Sequence, residues 1–364
     1  MPLADAPAMP RDTADWEEWV TYGLLWARRS PVELTTASPA GPATTSPPTS
    51  PPPTPRSLTM HAYREARPGP RWRALFDATW PAYRAWYLSE GEAARPSLAE
   101  CREAIATHLP GLLGTWERLG ELAGDELAAR MLSMWRAPAF AVNCSQAVIP
   151  GERPVVVRNY DYDPALFEGV IASTDYSGGR TVLGTSDMLW GLLDGMNPTL
   201  AVSLTYGGRG SVGPGFAIPI VIRYLLETCG TVAAAIEALR RIPVSQSYNI
   251  ALADTTGDHA TVYVAPGADA VVSRLQATTN HFLDVVERPE HAARFRSVER
   301  FDALTQMRAD DANEGDLVAA MLATPMRAEE FDAGFGTLYT VSYAPSPDPA
   351  LARATWHWPG QHWT

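Results

Sequence analysis

The chain contains no lysine: all 29 basic side chains among its 364 residues are arginine. No P-loop lysine is available to reach a phosphate. No lysine can form a Schiff base, and no serine–lysine dyad can be built. Any general base must be another group. Cysteine is scarce as well. The three cysteines, at positions 101, 144 and 229, are too few and too scattered for a disulfide scaffold, so a reducing cytoplasm is the expected compartment. No apolar run approaches the roughly 18 residues of a membrane span, and the first residues lack a basic-then-apolar signal pattern. Positive charge is in deficit, with a net charge of −12, which argues against nucleic acid or an anionic membrane as partner. The seven histidines show neither an HExxH motif nor paired Cys/His spacing, so no metal and no other cofactor is expected.

What is present is a globular chain with a 46% hydrophobic fraction, enough for a real core. Residues 39–55 hold eight prolines among Ser, Thr, Ala and Gly, the composition of an extended linker. Residues 1–59, with an isolated aromatic patch of Trp16, Trp19, Tyr22 and Trp26, are expected to be a disordered tail, and Met60 is an alternative start. From about 70 to 136 the periodicity is helical. Ser97 and Glu100 predict a capping box, Pro110 fits the first turn of a helix, and Asp125 predicts an N-cap. From about 140 onward short β-rich runs follow (VVVRNY, GVIASTDY, RTVLGT, TLAVSLTY, YNIALADTT, ATVYVAP, AVVSRL). Helices are expected near 216–228, 231–240, 290–307 and 315–322, with final strands near 337–344 and 352–358. Strands grouped around helix pairs point to a layered α+β sandwich rather than an alternating parallel sheet.

Two motifs compete for the chemistry. Gly208-Arg209-Gly210-Ser211-Val212-Gly213 matches GxGxxG after a predicted strand, as in a dinucleotide-binding oxidoreductase. Against it, Pro214 and Gly215 stand where the helix should run, and two helices precede the next strand. The alternative is a glycine-rich loop at a strand end. Among the cysteines, Cys101 and Cys229 fall in helical runs and read as small core residues. Cys144 stands where helical periodicity gives way to β-rich sequence, followed by Arg158-Asn159-Tyr160-Asp161.

Cys144-Ser145 with Arg158-Asn159-Tyr160-Asp161 resembles the start of the catalytic chain in N-terminal-nucleophile (Ntn) cysteine hydrolases. These include choloylglycine hydrolase, penicillin V acylase and, more closely, the acyl-coenzyme A:isopenicillin N acyltransferase family. Further similar segments follow in order: Asp194-Gly195-Met196-Asn197, Tyr248 to Asp254, Thr279-Asn280-His281-Phe282, Ser297-Val298-Glu299-Arg300 and Thr337 to Val341. The resemblance covers roughly residues 60–360. Asn143 departs from it, standing where close relatives carry glycine, as does Ala265, where an acidic or hydroxyl residue is common.

The resemblance implies a four-layer αββα sandwich and a precursor that cuts itself between Asn143 and Cys144. Residues 60–143 would form a helical pro-segment, the α chain after cleavage, and residues 144–364 the catalytic β chain. Cys144 would be the nucleophile and its new α-amine the base; such amines titrate near 7.7–8.0. Arg158 would favour the thiolate, Asp161 would orient the amine, Asn249 would donate to the oxyanion, and Arg300 would support the site electrostatically. Tyr206 and Asn280 are implied as further oxyanion or pocket residues. On the residues alone, Asn249 serves equally as a strand-end cap, Asn280-His281 as a turn, and Arg158–Asp161 as a weak surface pair. The expected substrate is a linear acyl amide or an acyl-coenzyme A, with a non-catalytic family member as another reading. Residues 144–364 carry 15 of the 29 arginines but 25 of the 41 acids, a field that favours amide hydrolysis over a polyanionic coenzyme. Oligomeric state, a homo-oligomer included, stays open.

Overall fold

A computed structural model describes residues 60–140, 143–283, 285–309, 311–331, 335–358 and 361–362. The expected tail, with its aromatic patch and proline-rich linker, lies outside the described residues.

The N-terminal part is one strand, β1 (His61–Glu65), and four helices: α1 (Pro70–Tyr87), α2 (Leu98–His108), α3 (Leu113–Ala123) and α4 (Glu126–Leu132). The caps fall where the sequence puts them. Ser97 and Glu100 form a reciprocal capping box on α2, and the Asp125 carboxylate accepts the first free N–H groups of α4. Gly124 ends α3 in the left-handed region, at φ 67°, which a glycine adopts without a Cβ penalty. Trp72, Phe76, Trp116 and Leu119 are buried in the same apolar cluster as residues of the C-terminal part. Polar anchors cross that junction in both directions. Trp72 donates its indole N–H to Leu189 O (3.1 Å), and Trp190 donates to Leu132 O (2.8 Å).

The remaining strands are β2 (Asn143–Ile149), β3 (Val155–Tyr162), β4 (Val170–Thr174), β5 (Val182–Asp187), β6 (Gly191–Met196), β7 (Leu200–Tyr206), β8 (Tyr248–Asp254), β9 (His259–Val264), β10 (Val271–Ser273), β11 (Ala277–Thr278), β12 (Gly336–Ala344), β13 (Arg353–Trp358) and β14 (Gln361–His362). They form an eight-stranded sheet, ordered β1-β4-β5-β6-β7-β8-β9-β10, and a six-stranded sheet, ordered β11-β2-β3-β12-β13-β14. The sheets meet through β2 and β3 against β7 and β8. Helices α5 (Ile218–Thr228) and α6 (Val232–Leu239) cover the outer face of the large sheet. After the short α7 (Pro289–Arg294), helices α8 (Ser297–Ala309) and α9 (Glu314–Met321) cover the outer face of the small one. This is the expected four-layer αββα sandwich.

Three local expectations are corrected. β1 pairs in parallel with β4, where the sequence suggested no strand; it is a short, mostly exposed edge. The helix expected over 290–307 is two helices, broken at Arg296, whose φ is 51°. The dinucleotide motif fails on topology: β7 pairs antiparallel with β8, and α5 begins only at Ile218. A phosphate-binding βαβ turn needs parallel strands and a helix starting at the glycines.

A carboxyl pair ties α1 to the large sheet. Tyr83 donates to Glu168 Oε1 (2.5 Å) and lies 3.2 Å from Asp187 Oδ1, while the Leu189 N–H also donates to Glu168 Oε1. Burial, and then the neighbouring Glu168, push the Asp187 carboxyl up to about 8. A carboxyl raised on folding stabilises the protonated native state, and this stability is lost as pH rises through the folded value. Resistance to urea is therefore expected to fall from about pH 4, where the unfolded carboxyl ionises, to about pH 8 and to level off above it, and Asp187→Asn should flatten the decline. Unfolding midpoints across that range check this; a wild-type profile as flat as the variant's would refute it.

Candidate active site

Strand β2 places alternate side chains on opposite faces of the small sheet. Cys144 and Gln146 lie opposite Tyr160 and Arg158 on β3, and this face looks onto the large sheet. Ser145 lies opposite Asn159, and both point the other way, to α8 and α9: Ser145 accepts from Arg300, and Asn159 donates to Met321 O. Cys144 is fully buried, so its thiol meets one set of groups and its backbone nitrogen another.

The thiol meets Arg158, whose Nη2 lies 2.7 Å from Cys144 Sγ. Nη1 of the same guanidinium donates to Asp194 Oδ2 (2.7 Å) and Leu193 O (2.9 Å). Asp194 also accepts the hydroxyls of Tyr339 (2.6 Å) and Tyr343 (2.5 Å). The Tyr160 ring lies under the guanidinium, 5.2 Å away. Burial pushes the Cys144 thiol up to about 11, against the downward pull of Arg158. The thiol is thus protonated at neutral pH. Burial by itself lowers Arg158, but its acidic neighbours outweigh it, Asp194 being the one ionised at neutral pH, and the net direction is up.

The nitrogen meets Asn280. The Cys144 N–H donates to Asn280 Oδ1 (3.1 Å), which also accepts Arg300 Nη2 (2.9 Å). Arg300 Nη1 donates to Ser145 Oγ (2.7 Å) and Asp161 Oδ2 (3.2 Å), and Thr337 donates to Asp161 Oδ1 (2.6 Å). Burial pushes the Asp161 carboxyl up to about 6, opposed first by Arg300 and then by the Thr337 hydrogen bond. Burial likewise lowers Arg300. Asn280 Nδ2 donates to Tyr206 O (3.2 Å).

Six of the residues singled out from the sequence thus form one hydrogen-bonded constellation: Cys144, Arg158, Asp161, Tyr206, Asn280 and Arg300. Asn143, buried beside them, has a side-chain Oδ1 without a hydrogen-bond partner among the described residues. Asn249 sits one step behind. Its amide donates to Thr279 O and His281 O (2.8 Å each), so it grips the turn that carries Asn280. The glycine-rich loop packs on the same turn. Gly208 has φ 71°, and a Cβ there would collide with the Asn280 carbonyl, so glycine is required by both conformation and space. Asp194, Tyr339, Tyr343, Ser145 and Thr337 had not been given roles. Asp194 is the one charged residue in the segment LWGLLDGM; Tyr339 and Tyr343 are an even number apart on one strand and so share a face.

Residues 148–355, more than half of the chain, match the family model described as acyl-coenzyme A:6-aminopenicillanic acid acyl-transferase. Similar solved structures include a mutant conjugated bile acid hydrolase from Clostridium perfringens, at 12% identity and TM-score 0.39, covering 59% of this chain and 88% of that one. Another is the Caenorhabditis elegans ortholog of N-acylethanolamine-hydrolyzing acid amidase, at 17% identity and TM-score 0.39, covering 60% and 98%. No curated protein matches the chain.

Asp194 neutralises a fully buried cation. Removing one partner of such a pair typically costs about 3–5 kcal/mol. Asp194→Ala should lose about that much in urea unfolding, and Tyr343→Phe about 1.5–3 kcal/mol, the worth of one hydrogen bond to a charged group. Equal, small losses for the two variants would contradict the role of the pair.

Proposed function

The chain belongs to the acyl-coenzyme A:6-aminopenicillanic acid acyl-transferase family, enzymes of the Ntn hydrolase and acyltransferase class, and on that premise we propose that it cuts itself before Cys144 and then hydrolyses a linear acyl amide. The observation that supports this most is the separate holding of the two Cys144 atoms: Arg158 on the sulfur and Asn280 on the nitrogen.

In the first reaction Sγ attacks the Asn143 carbonyl carbon. The thiol proton passes to the Cys144 nitrogen as the C–N bond breaks, leaving a thioester. Water then hydrolyses the thioester to the Asn143 carboxylate and the free thiol. The nitrogen, an amide without basicity before the cut, becomes an α-amine titrating near 7.7–8.0. Asn280 Oδ1 keeps one of its hydrogens, which leaves the lone pair free to take the thiol proton. In the second reaction the amine plays base to its own sulfur, then acid to the departing amine of the substrate, and water releases the acyl group. Arg158 and Arg300 keep fixed charge at the site without competing as bases, because a guanidinium does not deprotonate.

Cleavage need not separate the halves. Residues 60–143 contribute β1 to the large sheet and share its apolar core, so both chains are expected to stay together. Arg209 is already paired with Glu287 (2.8 Å) and stacked over Phe282. That leaves little free positive charge in the glycine-rich loop for a coenzyme A phosphate and favours amide hydrolysis over acyl transfer from the coenzyme.

Intact mass of the purified chain should show two species, one starting at Cys144, that migrate together in gel filtration. A panel of N-acyl amides should be hydrolysed by the cut protein. Cys144→Ala should give one uncut, inactive chain. A wild type that stays uncut, or turnover that survives Cys144→Ala, would sink the proposal.

A further inference from the structure

The turn Thr279-Asn280-His281 is held by more hydrogen bonds than a connecting loop requires. Thr279 O accepts from Asn249 Nδ2 (2.8 Å) and from the Thr205 hydroxyl (2.9 Å), and His281 O accepts from Asn249 (2.8 Å). The Asn280 N–H donates to Ser297 Oγ (2.9 Å). Behind it, His281 Nδ1 lies 2.8 Å from Ser297 Oγ and 3.2 Å from Thr279 Oγ1. The Thr279 hydroxyl donates to Ser297 O (2.7 Å), so its one proton is committed. Thr279 and Ser297 are fully buried and His281 nearly so.

Helix geometry adds the second half of the argument. Ser297 and Arg300 stand three apart at the start of α8, on one face of the helix. Ser297 holds the backbone of Asn280 and Arg300 holds its side chain. We infer that Ser297, Thr279 and His281 are positioning residues: they fix the Asn280 backbone so that Oδ1 stays on the Cys144 nitrogen. None of the three touches the thiol or the scissile bond. Their effect passes through one contact, the 3.1 Å bond from Cys144 N to Asn280. A displacement of about 1 Å at a reacting group costs about 10²-fold in rate.

The inference rests on the proposed self-cleavage and hydrolysis, and the experiment separates the two. In the full chain, Ser297→Ala and Thr279→Val remove hydroxyls, whereas Thr279→Ser keeps one. His281→Leu removes the ring nitrogen, and His281→Asn keeps a polar atom near the position of Nδ1. Self-cleavage is followed by intact mass. kcat and KM are measured on the N-acyl amide that wild type hydrolyses fastest, and unfolding midpoints are recorded alongside. The three hydroxyl- or nitrogen-free variants should cut and turn over about 10²-fold more slowly with KM within about twofold, and the two conservative variants should recover most of the rate. Wild-type rates in the three variants overturn the inference alone. So does a loss that follows the unfolding midpoint and is not recovered by Thr279→Ser and His281→Asn. An uncut and inactive wild type overturns both this inference and the proposed function.

Discussion

The charge on Arg158 is fully buried between two sheets, and much of the interior is arranged around it. Desolvating a guanidinium costs several kcal/mol even after relaxation. The cost is offset by a complete set of partners: Asp194, Leu193 O, the Cys144 sulfur and the Tyr160 ring. Asp194 in turn needs Tyr339 and Tyr343, which come from the neighbouring strand of the small sheet. One buried cation thus dictates polar residues on β3, β6 and β12, on faces that would otherwise be aliphatic. Arg300 makes the same demand from the opposite side, through Asp161, Ser145 and Asn280.

The two arginines divide one residue between them. The Cys144 side chain points from β2 into the inter-sheet layer, whereas its N–H lies in the plane of the small sheet and meets the turn that follows β11. A strand that begins at the nucleophile can present both atoms to separate, pre-formed surroundings. A helix or flexible loop would hold them less firmly. That division lets a single residue act as nucleophile and base in the proposed chemistry without a lysine in the chain.

Much of this was legible in the sequence, and the gaps have physical causes. The caps at Ser97 and Asp125 rest on local hydrogen bonds and were placed correctly. The strands VVVRNY, TLAVSLTY and YNIALAD carry enough β-branched and aromatic residues to show themselves. β2 and β6 do not: NCSQAVI and GLLDGM hold polar groups or glycines on buried faces, so neither alternation nor an apolar run marks them. β1 is an exposed edge and depends on a partner about a hundred residues away. The nucleophile and its arginines came from ordered short segments. Which asparagine meets the Cys144 nitrogen could not, since that contact joins positions 144 and 280 and depends on where α8 docks. The glycine motif is a loop at a strand end, the alternative its own letters allowed, with Gly208 packed on the Asn280 turn.

The parallel pairing of β1 with β4 has a consequence for the solubility of the C-terminal half. Without residues 60–143, β4 becomes a bare sheet edge, with a row of unpaired backbone donors and acceptors facing outward. Such edges recruit strands from other molecules. The same truncation uncovers the apolar surface that Trp72, Phe76 and Trp116 now cover. The N-terminal part therefore works as an edge guard for the sandwich. Residues 144–364 produced alone are expected to aggregate, however well the site residues themselves are formed.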